Sequence, residues 1–202
     1  MTSIDNHRPW QPILDFWFLA EGQAGYGEER SEWFRKDPAF DASIRERFLD
    51  DIESALAGGF VAWDSGLSHG DPDGALARIL LLDQFTRNVF RDTPRAFAGD
   101  VRALSAARAL VDGGADRLLN RVQRPFVYLP FEHAEDLAMQ ERGGALFEQL
   151  GRECGREGAA EWAIRHRDII ARFGRFPHRN QVLGRASTPD EIAFLKTPGS
   201  SF

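Results

Sequence analysis

The sequence predicts an all-α protein that forms a single compact domain over residues 1–202. Apolar side chains recur at helical spacing in segment after segment, and glycine and proline separate those segments. No stretch alternates apolar and polar residues convincingly enough to indicate a strand. The composition is 43% hydrophobic, with 16 Phe and 5 Trp, which is enough to build a core. We therefore expect about nine helices joined by short loops.

The first half of the chain contains clear helix starts. Residues 11–20 predict a short apolar helix, and residues 28–35 predict another turn or two. Asp37 is a cap and Pro38 takes the first helical position of a helix that ends at Leu56, before two glycines. Its apolar positions, mostly spaced by four, predict the buried face Phe40, Ile44, Phe48, Ile52 and Leu56.

The middle of the chain repeats these signals. Asp71-Pro72 opens a helix to about Phe90, and Thr93-Pro94 opens the next, which ends at a glycine pair, Gly113-Gly114. Residues 125–142 and 144–154 predict two further helices.

The C-terminal part contains a predicted corner. Residues 158–173 form a helix that Gly174 ends, and Pro177 makes residues 174–177 non-helical. Thr188–Glu191 is a capping box that opens a last short helix, to Lys196.

Composition also excludes several classes of function. The net charge of −6 argues against general nucleic-acid binding. Every apolar run is shorter than the roughly 18 residues of a membrane span, and the first residues lack the order of a signal peptide. The single cysteine, Cys154, excludes an internal disulfide and fits a reducing compartment. We expect a cytoplasmic protein without nucleic-acid or membrane partners.

The helix predicted over residues 72–91 carries the first of three polar runs. Its apolar side chains fall on every side, which is typical of a central, buried helix. Yet Asp83 and Arg87 lie four residues apart, in the favourable order, and so do Gln84 and Asn88 beside them. This stripe either lines a polar cavity or forms a buried Asp–Arg brace between helices.

The second polar run, residues 129–140, contains Glu132 and His133. Their order matches neither the di-iron pattern, which needs His three residues after Glu, nor the HExxH motif. We therefore predict no metal site. The alternative role for the run is a carboxylate–histidine cluster that pairs with the arginines.

The third polar run, residues 166–185, is rich in cations and interleaved with Phe and Ile. Its corner places Arg175, His178, Arg179 and Asn180 within six residues. Arginine heads near a core need partners, and a short helix opening at Pro177 would add free amides. Together these groups would suit a phosphate or a carboxylate.

The chain contains, in this order, the runs ILDFWF, WFRKDPAFD, LLDQFTRNVFR, YLPFEHAED, HRDIIARFGRFPHRNQVLGR and STPDEIAFL. They resemble the bacterial family called domain of unknown function 924 over nearly the whole chain. The resemblance implies an all-helical fold with tetratricopeptide-like packing of helical hairpins, and it implies no activity, substrate or cofactor. Two positions depart from the pattern: Thr86 stands where we expect Pro, and Ala134 where we expect Ser. The second departure removes a hydroxyl beside His133.

Two functional hypotheses follow from the polar runs. In the first, the protein is a binder or enzyme for a small anion, with His133 or His178 as general acid/base, oriented by Glu132 or Asp83. The residues expected to bind the ligand are Asp83, Gln84, Arg87, Asn88, Arg175, Arg179 and Asn180. No nucleophile elbow, P-loop or dinucleotide fingerprint is present, so we predict no cofactor. In the second, the protein is a helical protein- or peptide-binding module in which the polar runs are structural braces.

Overall fold

The computed structural model describes residues 8–69, 71–155 and 158–200. Within these ranges there are eight α-helices and no strand, so the predicted all-α class is confirmed. The helices are α1 Gln11–Phe18, α2 Pro38–Leu56, α3 (continuous through Asp73–Ile79, Leu80–Phe85 and Thr86–Val89), α4 Asp100–Asp112, α5 Arg124–His133, α6 Leu137–Cys154, α7 Glu161–Phe173 and α8 Pro189–Phe194. Short 3₁₀ turns lie at Ser31–Trp33, Val61–His69, Pro94–Phe97, Ala115–Leu118 and Pro177–Arg179. None of the described helices is both long enough and apolar enough to cross a membrane.

Helix α3 lies at the centre of the molecule, as its all-round apolar pattern predicts. All residues from 74 to 86 are buried, and α1, α2, α4 and α5 pack around them. The middle of α3, Leu80–Phe85, is a π-helical turn. Turns of this kind are rare and often lie at functional sites. The hydroxyl of Thr86, just after this turn, donates to the Leu82 carbonyl oxygen at 2.8 Å.

The start of α4 corrects the prediction of one helix from Pro94 to Gly113. The chain forms a 3₁₀ turn there, and α4 begins only after Gly99. A Cβ atom added at Gly99 would lie 2.0 Å from the carbonyl oxygen of Leu82. Only a glycine therefore allows the backbone to approach the π-helical turn this closely, and the approach brings Asp100 beside α3.

The hairpin of α5 and α6 corrects two further boundaries. The predicted helix over residues 125–142 breaks after His133, because Asp136 caps α6 by accepting from the amide of Met139 at 3.1 Å. The side chain of Gln140 donates to the carbonyl oxygens of Glu132 and Ala134, at 2.6 and 2.7 Å, which replaces helical hydrogen bonds at the break. The predicted break at residue 143 is absent, since α6 runs through it.

The C-terminal corner follows the prediction closely. Helix α7 ends at Gly174 with φ 69°, and Phe176 is extended, with φ −88° and ψ 108°. Phe176 is fully buried in a small cluster with Ile169 and Ile170. Both halves of the predicted capping box at Thr188 are present at the start of α8. The regular tetratricopeptide-like packing stays a prediction.

Replacing Gly99 should test the contact between α4 and α3. Gly99→Ala places a Cβ against backbone, so we expect it to cost about 3 kcal/mol, or roughly 6–12 °C in melting temperature. The matched control is Gly144→Ala in α6, where an added Cβ meets nothing within 4 Å. The control should stabilise the protein by about 0.5–1 kcal/mol through helix propensity. Thermal unfolding followed by circular dichroism measures both, and equal melting temperatures for the two variants would contradict the close contact.

Candidate functional site

Asp83 is the centre of a polar cluster and is completely buried, with 0% of its surface exposed. One carboxylate oxygen lies 2.7 Å from Nδ1 of His133 and 2.8 Å from Nη1 of Arg87. The other oxygen accepts from Nε2 of Gln84 at 2.6 Å. Burial alone raises the pKa of Asp83, but the charge of Arg87 and the hydrogen bonds from His133 and Gln84 outweigh burial and hold this pKa well below its ordinary value. The buried carboxyl group is therefore ionised at neutral pH.

His133, the last residue of α5, forms a dyad with Asp83. Burial lowers the pKa of His133, and the positive charge of Arg87 lowers it further. The imidazole is therefore neutral at pH 7, and Nδ1 donates its proton to Asp83. No described residue bonds its Nε2, and the side chain is 15% exposed. A neutral histidine held in this tautomer presents a lone pair that can accept a proton.

Asp100, at the start of α4, joins the two arginines of the cluster. Arg87 donates to it at 3.1 Å and to the carbonyl oxygen of Asp83 at 2.8 Å. Burial lowers the pKa of Arg87, but the charges of Asp83 and Asp100 outweigh burial and raise it above its ordinary value. Arg87, whose Nη1 and Nη2 are both paired, is therefore a brace between α3 and α4.

Arg179 differs from Arg87, although it contacts the same carboxylate. Its Nη1 donates to Asp100 over a long 3.3 Å, and its buried Nε has no hydrogen-bond partner. The guanidinium carbon lies 4.7 Å from the ring centroid of Phe97 and 4.4 Å from that of Phe176. Burial and the charge of Arg87 lower the pKa of Arg179 to about 10. Stacking, more than pairing, holds this side chain in place.

A second carboxylate–histidine pair lies beside the first. Glu132 is 2.9 Å from Nδ1 of His166, and the carbonyl oxygen of Trp162 is 2.8 Å from the same atom. The ring centroids of His166 and His133 are 6.5 Å apart. Glu132 and this carbonyl therefore orient His166, whereas Asp83 orients His133. The ring centroid of His178 lies 5.6 Å from that of Phe176. Burial and the charge of Arg179 lower the pKa of His178 to about 4.

Three predicted ligand-binding residues lie in other interactions. Arg175 donates to Glu191 at 2.7 and 2.9 Å, and Asn180 donates to the same carboxylate at 3.2 Å. Asn88 donates to Asp41 of α2 at 2.7 Å. These contacts give each side chain a structural partner, so the structure does not bring them to the Asp83 cluster.

The corner itself also contains an internal anion. Glu135 accepts from the backbone amide of Phe176 at 2.8 Å and pairs with Arg185 at 2.6 Å. The sequence predicted free amides in a short helix opening at Pro177. The amides of Arg179 and Asn180 in this turn donate to the carbonyl oxygens of Phe176 and Pro177, at 3.1 and 3.0 Å, so that prediction is wrong at both positions.

Sequence reasoning missed two members of the cluster, Asp100 and Phe97. The available signal at Asp100 was an acidic residue next to a glycine, which is typical of a helix start and indicates nothing about its distant partners. Phe97 lies in a short 3₁₀ turn and gave no signal of its stacking on Arg179.

Two shallow depressions lie elsewhere, between α6 and α7, with volumes of about 150 and 450 Å³. Their lining includes Glu148 and Ile164, and neither contains a residue of the Asp83 cluster. Among the described residues, no group of three or more His, Cys, Asp or Glu side chains could hold a metal ion.

Fold and site together define an all-helical protein with a buried Asp–His dyad and an incompletely paired arginine. The model of the family described as "Bacterial protein of unknown function (DUF924)" matches residues 13–199, so the chain belongs to that family. A similar solved structure is titled "Structure of Protein of Unknown Function ATU0120 from Agrobacterium tumefaciens". It is 39% identical, with a TM-score of 0.79, and the match covers 93% of this chain and 97% of that one. No curated protein matches the chain.

The two arginines should respond oppositely to replacement. Arg87→Met removes a partner from both Asp83 and Asp100, and we expect it to cost about 3–5 kcal/mol. Arg179→Met retains an apolar stem between the two rings and removes a charge that the fold disfavours. We expect it to change stability by less than about 1 kcal/mol, or to increase it. Urea unfolding measures both, and equal losses would show that Arg179 is a brace like Arg87.

The low pKa of His178 predicts acid sensitivity. Its folded pKa of about 4 lies below the ordinary value of 6.5, so the unfolded chain binds the proton more readily. The stabilising contribution is complete above pH 6.5 and is lost progressively as pH falls toward 4. Between pH 7.5 and pH 5, we expect the wild type to lose on the order of 2 kcal/mol more than His178→Gln does. Denaturant unfolding at both pH values tests this, and parallel losses would contradict it.

Proposed function

We propose that the protein binds a small anionic molecule beside the Asp83–His133 dyad and acts on it by general acid–base catalysis. The observation that carries the proposal is the 2.7 Å pair of a fully buried carboxylate with a histidine whose Nε2 is left for a substrate. His133 is the general base, and Arg179 supplies the contact to the anion. The single cysteine, Cys154, supports a cytoplasmic setting for this activity.

The dyad suits proton removal for a physical reason. Asp83 fixes the tautomer of His133, so Nε2 is the atom that takes a proton from the substrate. After the transfer, the carboxylate of Asp83 stabilises the imidazolium that forms. Because the pKa of His133 is lowered, the base is unprotonated and ready at neutral pH. Gln84 supports the second carboxylate oxygen and helps to keep Asp83 in place.

The contrast between the arginines favours a site over a pure brace. A brace needs its donors paired, as those of Arg87 are paired with Asp83 and Asp100. The side chain of Arg179 is only 7% exposed, yet its Nε is unpaired, and the one ion pair that it forms with a described residue is long. Active sites keep such uncompensated groups at a cost in stability, since a ligand completes them.

A thermal-shift screen over phosphates, nucleotides and carboxylates tests the proposal. At a concentration one hundred times the dissociation constant, a ligand stabilises the folded protein by about 2.7 kcal/mol, which is roughly 5–10 °C here. The ligand should raise the melting temperature of Arg179→Met by less than that of the wild type. His133→Gln should bind the ligand but fail to turn it over. Arg175→Met is the matched control and should retain the full shift. If no anion stabilises the wild type and Arg179→Met is strongly destabilised, the proposal fails.

A further inference from the structure

We infer that the anion is a carboxylate. It lies in the plane of the Arg179 guanidinium, next to Phe97 and Phe176, and accepts hydrogen bonds from Nε and Nη2 of this arginine. The inference rests on the proposed function and narrows its substrate class to small carboxylic acids. It assigns recognition of the anion to Arg179 and proton transfer to His133.

The free edge of Arg179 is the first observation. Its Nη1 contacts Asp100, and no described residue accepts a hydrogen bond from Nε or Nη2. The Nε atom is fully buried without a partner, in a side chain that is only 7% exposed. A buried donor of this kind has lost its hydrogen bond to water without gaining one within the protein. An oxygen pair on this edge would restore two parallel, charge-assisted hydrogen bonds.

The two aromatic rings restrict the shape of the ligand. The ring centroids of Phe97 and Phe176 lie 4.7 and 4.4 Å from the guanidinium carbon, so the two rings occupy much of the space around it. A group that bonds to Nε and Nη2 must lie near the guanidinium plane. A carboxylate is planar and meets that requirement with both oxygens. A phosphoryl group is tetrahedral, so its further oxygens need more room, which the two rings restrict.

The charges of the cluster agree with a single negative ligand charge at this edge. Asp83 and Asp100 both contact Arg87 closely, whereas Asp100 is the one carboxylate of the described residues that pairs with Arg179, over 3.3 Å. Burial and the charge of Arg87 lower the pKa of Arg179 to about 10, although the charges of Asp100, Glu135 and Asp83 raise it. The contacts His133–Asp83–Arg87–Asp100–Arg179 form one connected network, which links the proposed base to the arginine that would bind the acid.

The test follows the side-chain Nε–H resonance of Arg179 by ¹H–¹⁵N NMR in the full chain. Sodium acetate and sodium phosphate are titrated separately at pH 7, with chloride holding the ionic strength constant. We expect acetate to shift the Arg179 resonance saturably and phosphate not to shift it at equal concentration. Arg179→Lys, which lacks the fork, should weaken acetate binding at least tenfold. The matched Arg175→Lys, whose partner is Glu191, should change it less than twofold.

A second variant keeps the test valid if Arg179→Lys does not fold. Phe97→Leu retains the arginine but removes one ring, so the preference for acetate over phosphate should fall several-fold. Tighter binding of phosphate than acetate in the wild type overturns the inference. Equal acetate affinities of the wild type and Arg179→Lys also overturn the inference, because a water molecule would then satisfy the donors of the Nε–Nη2 edge. If phosphate alone binds and shifts the His133 resonances, the carboxylate assignment fails while the proposed function stands. If no anion affects His133 or Arg179, both fail.

Discussion

One buried negative charge, on Asp83, constrains much of this fold. A carboxylate at the centre of a helix that is apolar on all sides is tolerated only when its partners are in place. Those partners are Gln84 and Arg87 on α3 and His133 on α5. Arg87 continues the network to Asp100 on α4, which reaches the C-terminal corner at Arg179. Three helices and the corner are thus tied together through two carboxyl groups, those of Asp83 and Asp100.

The helix starts could be predicted because their chemistry is local. Asp37 accepts from the amides of residues 39 and 40, and Thr188 from that of Glu191, within four residues of sequence. The breaks at Gly99 and after His133 could not be predicted in the same way. Gly99 is explained by Leu82, seventeen positions earlier in the chain, and such a contact leaves no mark on the local pattern.

In the site, too, the residues could be predicted from the sequence but their partners could not. Charged residues on apolar helices must find partners, and this rule singled out Asp83, Arg87, His133 and Arg179. It could not choose among partners, because the choice depends on which helix faces which. Glu132 therefore pairs with His166, next to the histidine it was predicted to orient. Arg175 and Arg179 are four residues apart, yet one is paired by a nearly buried Glu191 and the other only weakly by Asp100.

Because of the π-helical turn at Leu80–Phe85, the geometry of the site depends on the number of residues in α3. A π-turn accommodates one more residue than an α-turn, and in an α-helix each residue turns the chain by about 100°. Because the turn takes up an extra residue, the side chains after it keep the faces that they would have on a regular helix one residue shorter. If the same residues formed a regular α-helix instead, Arg87 would rotate by about 100° away from Asp100 without any change in its own identity. A relative that keeps these residues but lacks the π-turn would therefore lose the arrangement.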